Sequence, residues 1–431
     1  MNRIAKMLAA TALTVASTLM SVTLDAQVKD TVNRDIREYN DEIGYYQIAH
    51  KDLGDPRFMF SDENGIIDFG IGGTVSVSSY MTVAGIVNYS SFLPGNIEVP
   101  TVNAPEYASN LSGSEIHAKA RAKYMGNKLI AYIKLGTGAA NAIYVRQAYI
   151  SINGLSFGLI PSFFMDREAG VMTTNNGVST RVDMAHILMG YSRQFGSHFS
   201  AGLAFEQSDL DASNYKSYAI GIDYDNQPMP DIAAFAKLRW DNGHVQLGGI
   251  YRNLTYWAFH EPAHTLNDGK DAHTPGWGLS LSGNIKPTRK LLISLQGVGG
   301  YGIAAYMPVF AGRFLDVGLV NEEHGPDEYN RLEGVPMISS MAGVQYNWLH
   351  FSSSVVAGYD HCFRSERLFN YDNFKSSVTV TANTFWNLSD YAYVGIEYLY
   401  GRKMIYPTLL GGNGGQHGNA HRLVGVIAFL F

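Results

Sequence analysis

The sequence predicts an all-β fold, a 16-stranded antiparallel transmembrane β-barrel with short periplasmic turns and long extracellular loops. From Gly65 onward, segments of about ten residues alternate apolar with polar or small side chains, and turns separate them. The composition joins 45 Gly, 27 Tyr and 21 Phe to only 16% charged residues, below the roughly 25% of soluble domains. The last segment carries Phe429 and Phe431 on one face, an ending typical of outer-membrane barrels.

The N-terminal residues differ from the rest of the chain. Residues 1–26 begin with Arg3 and Lys6, continue with an apolar run and end in Ala26, which predicts a secretory signal peptide. No later run of about 18 apolar residues offers a transmembrane helix. The single cysteine, Cys362, excludes an internal disulfide.

Residues 27–64 are polar and predict a periplasmic N-terminal leader with some helical character. Their apolar residues recur at heptad spacing for about two repeats, fewer than a coiled coil needs, at Val32, Ile36, Tyr39, Ile43 and Tyr46. Two alternatives follow: a periplasmic helix or flexible leader, and a helix that joins three chains. The barrel itself is expected to span residues 65–431.

The segment from Ile66 to Met81 predicts the first strand. One face is polar or small, and the other carries Ile67, Phe69, Ile71, Val75 and Val77. The same alternation recurs further on, where the apolar positions include Leu129, Ile133, Leu247, Leu279, Leu281 and Val378. We expect the apolar face of each strand to contact lipid and the other face to line the lumen.

Tight turns divide these segments into hairpins. Seven are readable, at Met125-Gly126-Asn127, Asn153-Gly154, Gly196-Ser197, Asp241-Asn242-Gly243, Pro287-Thr288-Arg289, Asn347-Trp348 and Asn387-Leu388-Ser389. Seven hairpins with a first and a last strand give 16 strands, and single-chain bacterial barrels use even numbers. Eight longer connections are expected to face outside the cell, near residues 82–111, 136–141, 162–180, 209–229, 254–274, 305–334, 362–373 and 401–418.

Residues 115–124 read EIHAKARAKY and place a titratable side chain at every second position. A charge on the outer face of a barrel costs about 2–4 kcal/mol at the membrane midplane, so the alanines are expected to face lipid and the charges the lumen. The cations of this strand are His117, Lys119, Arg121 and Lys123. Other strands add Lys134, Arg146, Lys237, Arg239 and Arg252 on the polar face.

A water-filled lumen with a net positive lining attracts anions, because the low-dielectric walls focus the field of the lining charges. The chain as a whole has a formal net charge of −6, so the basic face is not a general background. The pattern predicts passive diffusion of small anionic solutes. Two alternatives stay open: the cations pair with loop carboxylates such as Asp166 or Glu168 and brace the wall, or the loops close the barrel, which then serves as an adhesin or surface receptor.

An enzyme is a weaker hypothesis. His260-Glu261-Pro262-Ala263-His264 matches H-E-x-x-H, which binds zinc when a helix aligns both histidines. Pro262 interrupts the motif in a predicted loop, and proline costs about 3 kcal/mol or more inside a helix. We therefore expect no catalytic residue, no metal and no cofactor.

The strand within residues 181–195 does not reveal its orientation. Ile187, Met189 and Tyr191 suggest a lipid-facing side, but Arg181 and Arg193 share it. Because charge is tolerated near the interface, either Arg181 or His186 could be the group that faces the lumen.

Three stretches resemble the DcaP-like porins, trimeric outer-membrane channels associated with dicarboxylate uptake. They are Phe92-Leu93-Pro94-Gly95-Asn96-Ile97-Glu98-Val99-Pro100 in the first long loop, Arg146-Gln147-Ala148-Tyr149 in the fourth strand, and Phe163-Phe164-Met165-Asp166 after the fifth. With the strand order, the resemblance covers most of residues 65–431. It implies a 16-stranded barrel, a homotrimer and passive uptake of small anions such as dicarboxylates. Pro161 departs from the aromatic residue expected in the family, and the leader is shorter than in members with a long coiled coil.

The third long connection, Ser162 to Thr180, is expected to fold into the pore by analogy with general porins. Its candidate constriction residues are Phe164, Asp166 and Arg167. The chain is thus predicted to lie in the outer membrane of a Gram-negative-type bacterium, with lipid, small anionic solutes and further copies of itself as partners. No nucleic-acid partner is expected.

Overall fold

The computed structural model describes most of the predicted barrel. The described residues are 58–61, 67–87, 89, 91–138, 141–174, 184–207, 212–213, 220–222, 227–260, 270–310, 315–319, 332–363, 374–389, 391–406 and 417–431. The predicted signal peptide and all of the leader except residues 58–61 lie outside them. No helix in the described part is long and apolar enough to cross a membrane.

Sixteen long strands form one closed antiparallel barrel, which confirms the predicted fold class. They are β1 (Ile67–Ala84), β2 (Glu115–Tyr124), β3 (Asn127–Thr137), β4 (Ile143–Ile152), β5 (Leu155–Pro161), β6 (Ala185–Phe195), β7 (Phe199–Glu206), β8 (Asp231–Trp240), β9 (Gly243–His260), β10 (Lys270–Thr288), β11 (Leu291–Tyr301), β12 (Pro336–Trp348), β13 (Phe351–Cys362), β14 (Phe374–Ser389), β15 (Ala392–Ile405) and β16 (His417–Leu430).

The barrel closes where the last strand pairs with the first. Residues Thr74 to Ala84 of β1 pair with His421 to Leu430 of β16. The main chains of Phe431 and Gly73 also exchange both hydrogen bonds, at 2.8 and 2.9 Å. The terminal aromatic residue therefore completes the ladder, and full closure leaves no free strand edge at this seam.

Short strands extend the sheet at both ends of β1. Phe58–Ser61 pairs with residues 68–71 of β1, before the part of β1 that pairs with β16. Glu106–Asn110 pairs with residues 78–82 of β1, beyond the part that pairs with β2. A further sheet of three short strands, Ala212–Ser213, Val317–Leu319 and Leu332–Gly334, lies in the long connections. These additions do not change the count of 16 barrel strands.

One end of the barrel carries the predicted tight turns. Met125 and Gly126 have φ values of 50° and 77°, and Asn153 and Gly154 have 49° and 90°. Positive φ at both central residues defines the turn whose twist matches antiparallel strands, and Asn and Gly adopt it most readily. This end is called the turn end below, and the opposite end is called the loop end.

Among the described residues, side chains alternate between the outer and the inner face along the barrel strands, with shifts at β-bulges. Leu279, Leu281 and Leu295 are more than half exposed on the outer face, while Ser280, Ser282 and Gln296 are buried inside. At the turn end, Trp348 and Trp386 flank Phe351 with ring centroids 4.8 and 6.1 Å away. Such rings mark the interface between lipid tails and water.

The orientation of β6, which the sequence left open, is now defined. His186 and Leu188 are buried inside, whereas Ile187 and Tyr191 are exposed on the outer face. Arg193 shares the outer face near the turn end, where its guanidinium carbon lies 5.6 Å from the Phe195 ring centroid. Arg181 lies outside the described residues.

The strands β9 and β10 are longer than predicted. The connection expected at residues 254–274 is shorter than predicted, because β9 continues to His260 and β10 begins at Lys270. His260 is therefore a strand residue, and the remainder of the H-E-x-x-H sequence lies outside the described residues.

Three connections at the loop end fold into the barrel and supply its core. The first contributes Phe92 and Ile97, which pack with Tyr80 and Val424 of the inner wall. The third contributes Phe163 and Phe164, each at most 1% exposed. The sixth contributes a fully buried run that includes Ile303, Tyr306, Met307 and Phe310. The interior of the barrel is consequently filled on the side where these loops lie.

Candidate functional site

The third long connection crosses the lumen and is fixed to the wall by Asp166. Asp166 Oδ1 accepts a hydrogen bond from Lys237 Nζ at 3.1 Å, and Oδ2 accepts one from Ser282 Oγ at 2.7 Å. Oδ2 also lies 2.8 Å from His244 Nε2. Burial alone would raise the pKa of the Asp166 carboxyl, but Lys237, His244 and Ser282 outweigh burial and hold this pKa well below its usual range.

Glu168, two residues after Asp166, attaches the loop to the same part of the wall. Its carboxylate lies 3.2 Å from Lys237 Nζ and accepts a hydrogen bond from Arg239. Its main-chain carbonyl accepts a hydrogen bond from Asn284 Nδ2 at 2.8 Å. The carboxylates of this loop are thus paired with cations of β8, which is the bracing role that the sequence left as an alternative.

His244 sits between two acceptors in this cluster. Because Asn284 Nδ2 donates to Glu168, Asn284 Oδ1 must face His244 Nδ1, at 3.1 Å. His244 Nε2 faces the Asp166 carboxylate. Each ring nitrogen of His244 therefore lies within hydrogen-bonding distance of an oxygen atom.

A second attachment holds the far part of the same loop against β12 to β15. The main chain of Met172 receives a hydrogen bond from Ser354 Oγ at 2.6 Å and from Asn383 Nδ2 at 2.8 Å. Thr174 donates its main-chain N–H to Glu397 Oε2 at 2.9 Å, and its hydroxyl is bonded to the same carboxylate. The loop is therefore fixed at both ends of its path across the barrel.

Arg252 anchors the sixth connection and is fully buried. Its guanidinium lies 2.9 Å from Asp231 Oδ2 and 2.9 Å from Asp316 Oδ1. It also donates to the carbonyl of Gly302 at 2.6 Å. Tyr306 Oη donates to Asp231 Oδ2 at 2.9 Å, and the centroid of the Tyr306 ring lies 5.2 Å from the guanidinium carbon. Arg252 faces inward, but the loop covers it completely.

The lumen that remains is a cavity of about 1830 Å³, which is lined by residues of β2 to β6, by the crossing loop and by turn-end residues of β8 to β11. Gly113, Tyr144 and Pro161 line it near the loop end. Ser197 and Lys286 line it at the turn end. A single cavity thus reaches residues from both rims, between the crossing loop and the opposite wall.

Glu115, Lys134 and Arg146 form the charged part of the wall that faces this cavity. Glu115 Oε2 lies 2.6 Å from Lys134 Nζ and 3.1 Å from Arg146 Nη1. One carboxylate is therefore shared by two cations. The Arg146 side chain is 33% exposed, far more than the fully buried Arg252, so it is in contact with the solvent of the lumen.

A β-bulge turns Arg146 into the lumen. The register between β3 and β4 shifts after Lys134, and Arg146 is the extra residue that it inserts. A Cβ at Gly136 would lie 2.6 Å from Arg146 Cδ, so the arginine stem rests on this glycine. Arg146 Nε also donates to Tyr144 Oη at 2.8 Å. The bulge and the glycine together hold the Arg146 guanidinium in the lumen.

Positive charge exceeds negative charge among the residues that line the cavity. The cations are Lys134, Arg146, Arg167, Arg239 and Lys286, and the carboxylates are Glu115, Glu168 and Asp241. Two of these carboxylates already have cationic partners. The described lining is therefore net positive.

The other predicted lumen residues lie outside this lining. His117 and Lys119 face inward and are each 3% exposed, and the His117 ring stacks on Tyr132. Arg121 pairs with Asp68 at 2.6 Å. Lys237 is bonded to the loop carboxylates. The side chain of Lys123 lies outside the described part of the structure.

The three predicted constriction residues divide by position. Arg167 lines the cavity, while Phe164 and Asp166 are turned to the wall behind the loop. Sequence reasoning missed the wall residues that hold the loop, namely His244, Gln246, Ser282 and Asn284. It also missed the inward fold of the sixth loop, although the apolar run from Ile303 to Phe310 is unusual for a surface loop.

A closed transmembrane barrel whose lumen is narrowed by an inward loop defines the class of outer-membrane diffusion channels. The model of the Porin subfamily matches residues 108–406, which is more than half of the chain, so the chain belongs to this family. It is an outer-membrane porin, and the members of this family are channels rather than enzymes. A comparison with curated protein sequences gave no match.

Solved structures support the fold. The outer-membrane channel DcaP of Acinetobacter baumannii has a TM-score of 0.69 and 15% identity, over 86% of this chain and 99% of that one. OmpT of Vibrio cholerae in a trimer form has a TM-score of 0.52 and 11% identity, over 85% and 100%. OmpF of Salmonella typhi in complex with daunomycin has a TM-score of 0.52 and 8% identity, over 87% and 100%. At these identities the likeness concerns the fold.

Proposed function

We propose that this porin favours small anionic solutes, dicarboxylates among them, over cations. The observation that carries the proposal is the sharing of Glu115 between Lys134 and Arg146, which leaves a cation in excess beside the open cavity. Arg167 on the crossing loop adds a second positive charge to the lining. A lining with net positive charge between low-dielectric walls concentrates anions along the path.

The predicted basic residues then have two roles. Lys134, Arg146, Arg239 and the loop residue Arg167 face the solute, because they line the cavity. The other described cations contribute to the field from behind the lining or brace the wall; they are His117, Lys119, Arg121, Lys237 and Arg252. Phe164 and Asp166 position the loop that carries Arg167.

Reversal potentials in a salt gradient across a planar bilayer test this proposal. The wild-type channel is expected to be anion-selective, and the double variant Arg146→Glu with Arg167→Glu is expected to become cation-selective, because the lining loses two positive charges and gains two negative ones. Lys290→Glu, an exposed turn residue that does not line the cavity, is the matched control and should leave the potential unchanged. A cation-selective wild-type channel would refute the proposal.

Saturation distinguishes the solute class from general anion preference. Succinate, chloride and a neutral sugar of similar size can be compared in liposome swelling. A dicarboxylate channel is expected to show a current or swelling rate that saturates with succinate and is lowered in Arg146→Ala. Equal rates for all three solutes would leave no support for the dicarboxylate part of the proposal.

We also propose that the channel is a homotrimer that assembles through the outer face of β2 and its neighbours. Ala118, Ala120 and Ala122 lie on this outer face beside Ala131 of β3, where other strands carry large apolar side chains. Small side chains allow two protein surfaces to approach closely within a membrane. The trimer form of the Vibrio cholerae OmpT structure supports a trimeric assembly.

Native mass spectrometry in detergent tests the assembly. Ala120→Trp is expected to shift trimers to monomers, while Leu281→Trp, on the outer face of the distant β10, should leave them intact. A wild-type protein that is monomeric at all concentrations would contradict the assembly without affecting the proposed anion preference.

A further inference from the structure

The outer surface of β13 to β15 carries cations and aromatic rings near the loop end. Tyr359, Val378 and Arg402 form one row across the three strands. His361 lies one outward position further towards the loops, 4.5 Å from the Phe363 ring. Lys375 Nζ lies 5.5 Å from the centroid of the Tyr406 ring. We call Arg402, His361 and Lys375 the outer basic patch.

The depth of this patch follows from the strand geometry. The aromatic rings of Phe351 and Trp386 mark the interface at the turn end. Val378 precedes Trp386 by eight positions on β14. At about 3.4 Å per residue and a tilt of about 40°, the row of Val378 stands roughly 20 Å above that interface. The apolar band of a barrel is about 25 Å tall, so this row lies roughly 5 Å below the upper edge of the band, and His361, two positions further along β13, reaches the level where lipid head groups begin.

The cations of the patch have no carboxylate partner among the described residues. None of the described ion pairs includes Arg402 or Lys375. Arg402 Nε is buried and has no hydrogen-bond partner in this part of the chain. The inward Arg422 of the next strand differs, because its guanidinium donates to Thr82 Oγ1 and to the carbonyl of Tyr89.

Cations at this depth find polar partners only towards the loop end of the barrel. Towards the tails they would face hydrocarbon, which charges avoid, while towards the loop end they meet the head groups of the outer leaflet. Arginine and lysine bind phosphate oxygens through charge-assisted hydrogen bonds. The neighbouring rings of Tyr359, Phe363 and Tyr406 are suited to the boundary between tails and head groups.

We propose that the outer basic patch binds the phosphate groups of a phosphorylated glycolipid of the outer leaflet. Arg402 and Lys375 supply the charges, and His361 adds a hydrogen-bond donor beside them. The aromatic rings contact the first part of the acyl chains. This surface is separate from the lumen, so lipid binding and solute selectivity are independent properties of the barrel.

Binding of a bisphosphorylated lipid A to the purified full-length barrel in mixed micelles tests the proposal. Arg402→Gln with Lys375→Gln is expected to weaken binding about tenfold, since two charge-assisted contacts are lost. Arg193→Gln is the matched control, because Arg193 also faces outward beside an aromatic ring but lies at the turn end. This control should bind as the wild type does.

A second measurement needs no variant. Enzymatic removal of both phosphates from the lipid should weaken its binding to the wild-type barrel by a similar factor. Equal binding of both lipids, or an equal loss in Arg193→Gln, would overturn the proposal. A shift of the double variant from oligomer to monomer would also overturn it, because the patch would then be an interface between copies of the chain.

Discussion

Arg252 and Arg146 both face the interior of the barrel and both contact carboxylates, but their surroundings differ. Arg252 is fully buried between Asp231, Asp316 and Tyr306 beneath the sixth loop. Arg146 keeps a third of its side chain exposed to the cavity and shares Glu115 with Lys134. One arginine therefore fixes a loop, and the other presents its charge to the solvent of the lumen.

The difference shows that the loops decide what an inward-facing charge does. The first, third and sixth loops cover other inward-facing residues, among them Arg252 of β9, and the loop side chains Tyr306, Phe310 and Phe164 are buried there. The open cavity is lined by β2 to β6, by the crossing loop and by the turn-end residues of β8 to β11. Removing a charge should cost stability on the covered side and change permeation on the open side.

Arg252→Ala is expected to have the largest effect on stability. The substitution leaves Asp231 and Asp316 buried without their cation, which costs about 3–5 kcal/mol. Urea unfolding in detergent, followed by tryptophan fluorescence, measures the change. Arg193→Ala, a lipid-facing arginine near the turn end, should change the midpoint little. An Arg252→Ala barrel as stable as the wild type would show that the covered side does not depend on this anchor.

Asp166→Asn is expected to have an intermediate effect that reaches the pore. The amide keeps the shape of the carboxylate but loses its charge, so His244 Nε2 loses the carboxylate that it faces and Lys237 keeps only Glu168 as an anionic partner. The cost is about 1–3 kcal/mol. A loosened loop should raise the mean single-channel conductance and its fluctuations.

Ser282→Ala removes one hydrogen bond to Asp166 and keeps the charge, and it serves as the matched comparison for this loop attachment. It is expected to change conductance less than Asp166→Asn does. Equal effects of the two variants would mean that the charge of Asp166 contributes nothing to loop position. An unchanged conductance in both would indicate that the attachment through Met172 and Thr174 is sufficient.

The local alternation of side chains explains what could be predicted from the sequence. A strand repeats every two residues, so each pattern, such as EIHAKARAKY, defines its inner and outer face without reference to the rest of the chain. The closed barrel and the number of tight turns follow from such local signals, although Asn347 and Trp348 are the last residues of β12 and the turn lies after them, before Phe351. The placement of His117 and Lys119 on the inner face follows in the same way.

The loop contacts could not be predicted in this way, because they join residues that are distant in the chain. Asp166 and Ser282 are 116 positions apart, and Met172 and Asn383 are 211 apart. The two-residue repeat of a strand does not indicate which distant residues will contact each other. Whether Arg252 or Arg146 meets the solute depends on these contacts, so the inward face of Arg252 was predictable and its burial was not. The inward face of Arg146 depends on a β-bulge, which strict alternation does not indicate.

Arg146→Ala is expected to have a small effect on stability and a clear effect on selectivity. A partly exposed ion pair contributes about 0–1 kcal/mol, and Glu115 keeps Lys134 as its partner. The ratio of anion to cation permeability should fall, because Lys134 and Glu115 then cancel. Reversal potentials and urea unfolding of the same preparation measure both quantities. A large loss of stability would remove the distinction between the two arginines.

Gly136→Ala is expected to have the smallest effect on stability while it tests how Arg146 is aimed. The new Cβ would lie 2.6 Å from Arg146 Cδ, but the arginine side chain can move away, so the fold should tolerate it. The guanidinium would then lose its position beside Tyr144 and Glu115 although its charge remains. Selectivity measured at low salt should fall part of the way towards that of Arg146→Ala. A potential equal to the wild type would mean that charge alone sets selectivity, because the field of a mobile cation would then serve as well as that of a positioned one.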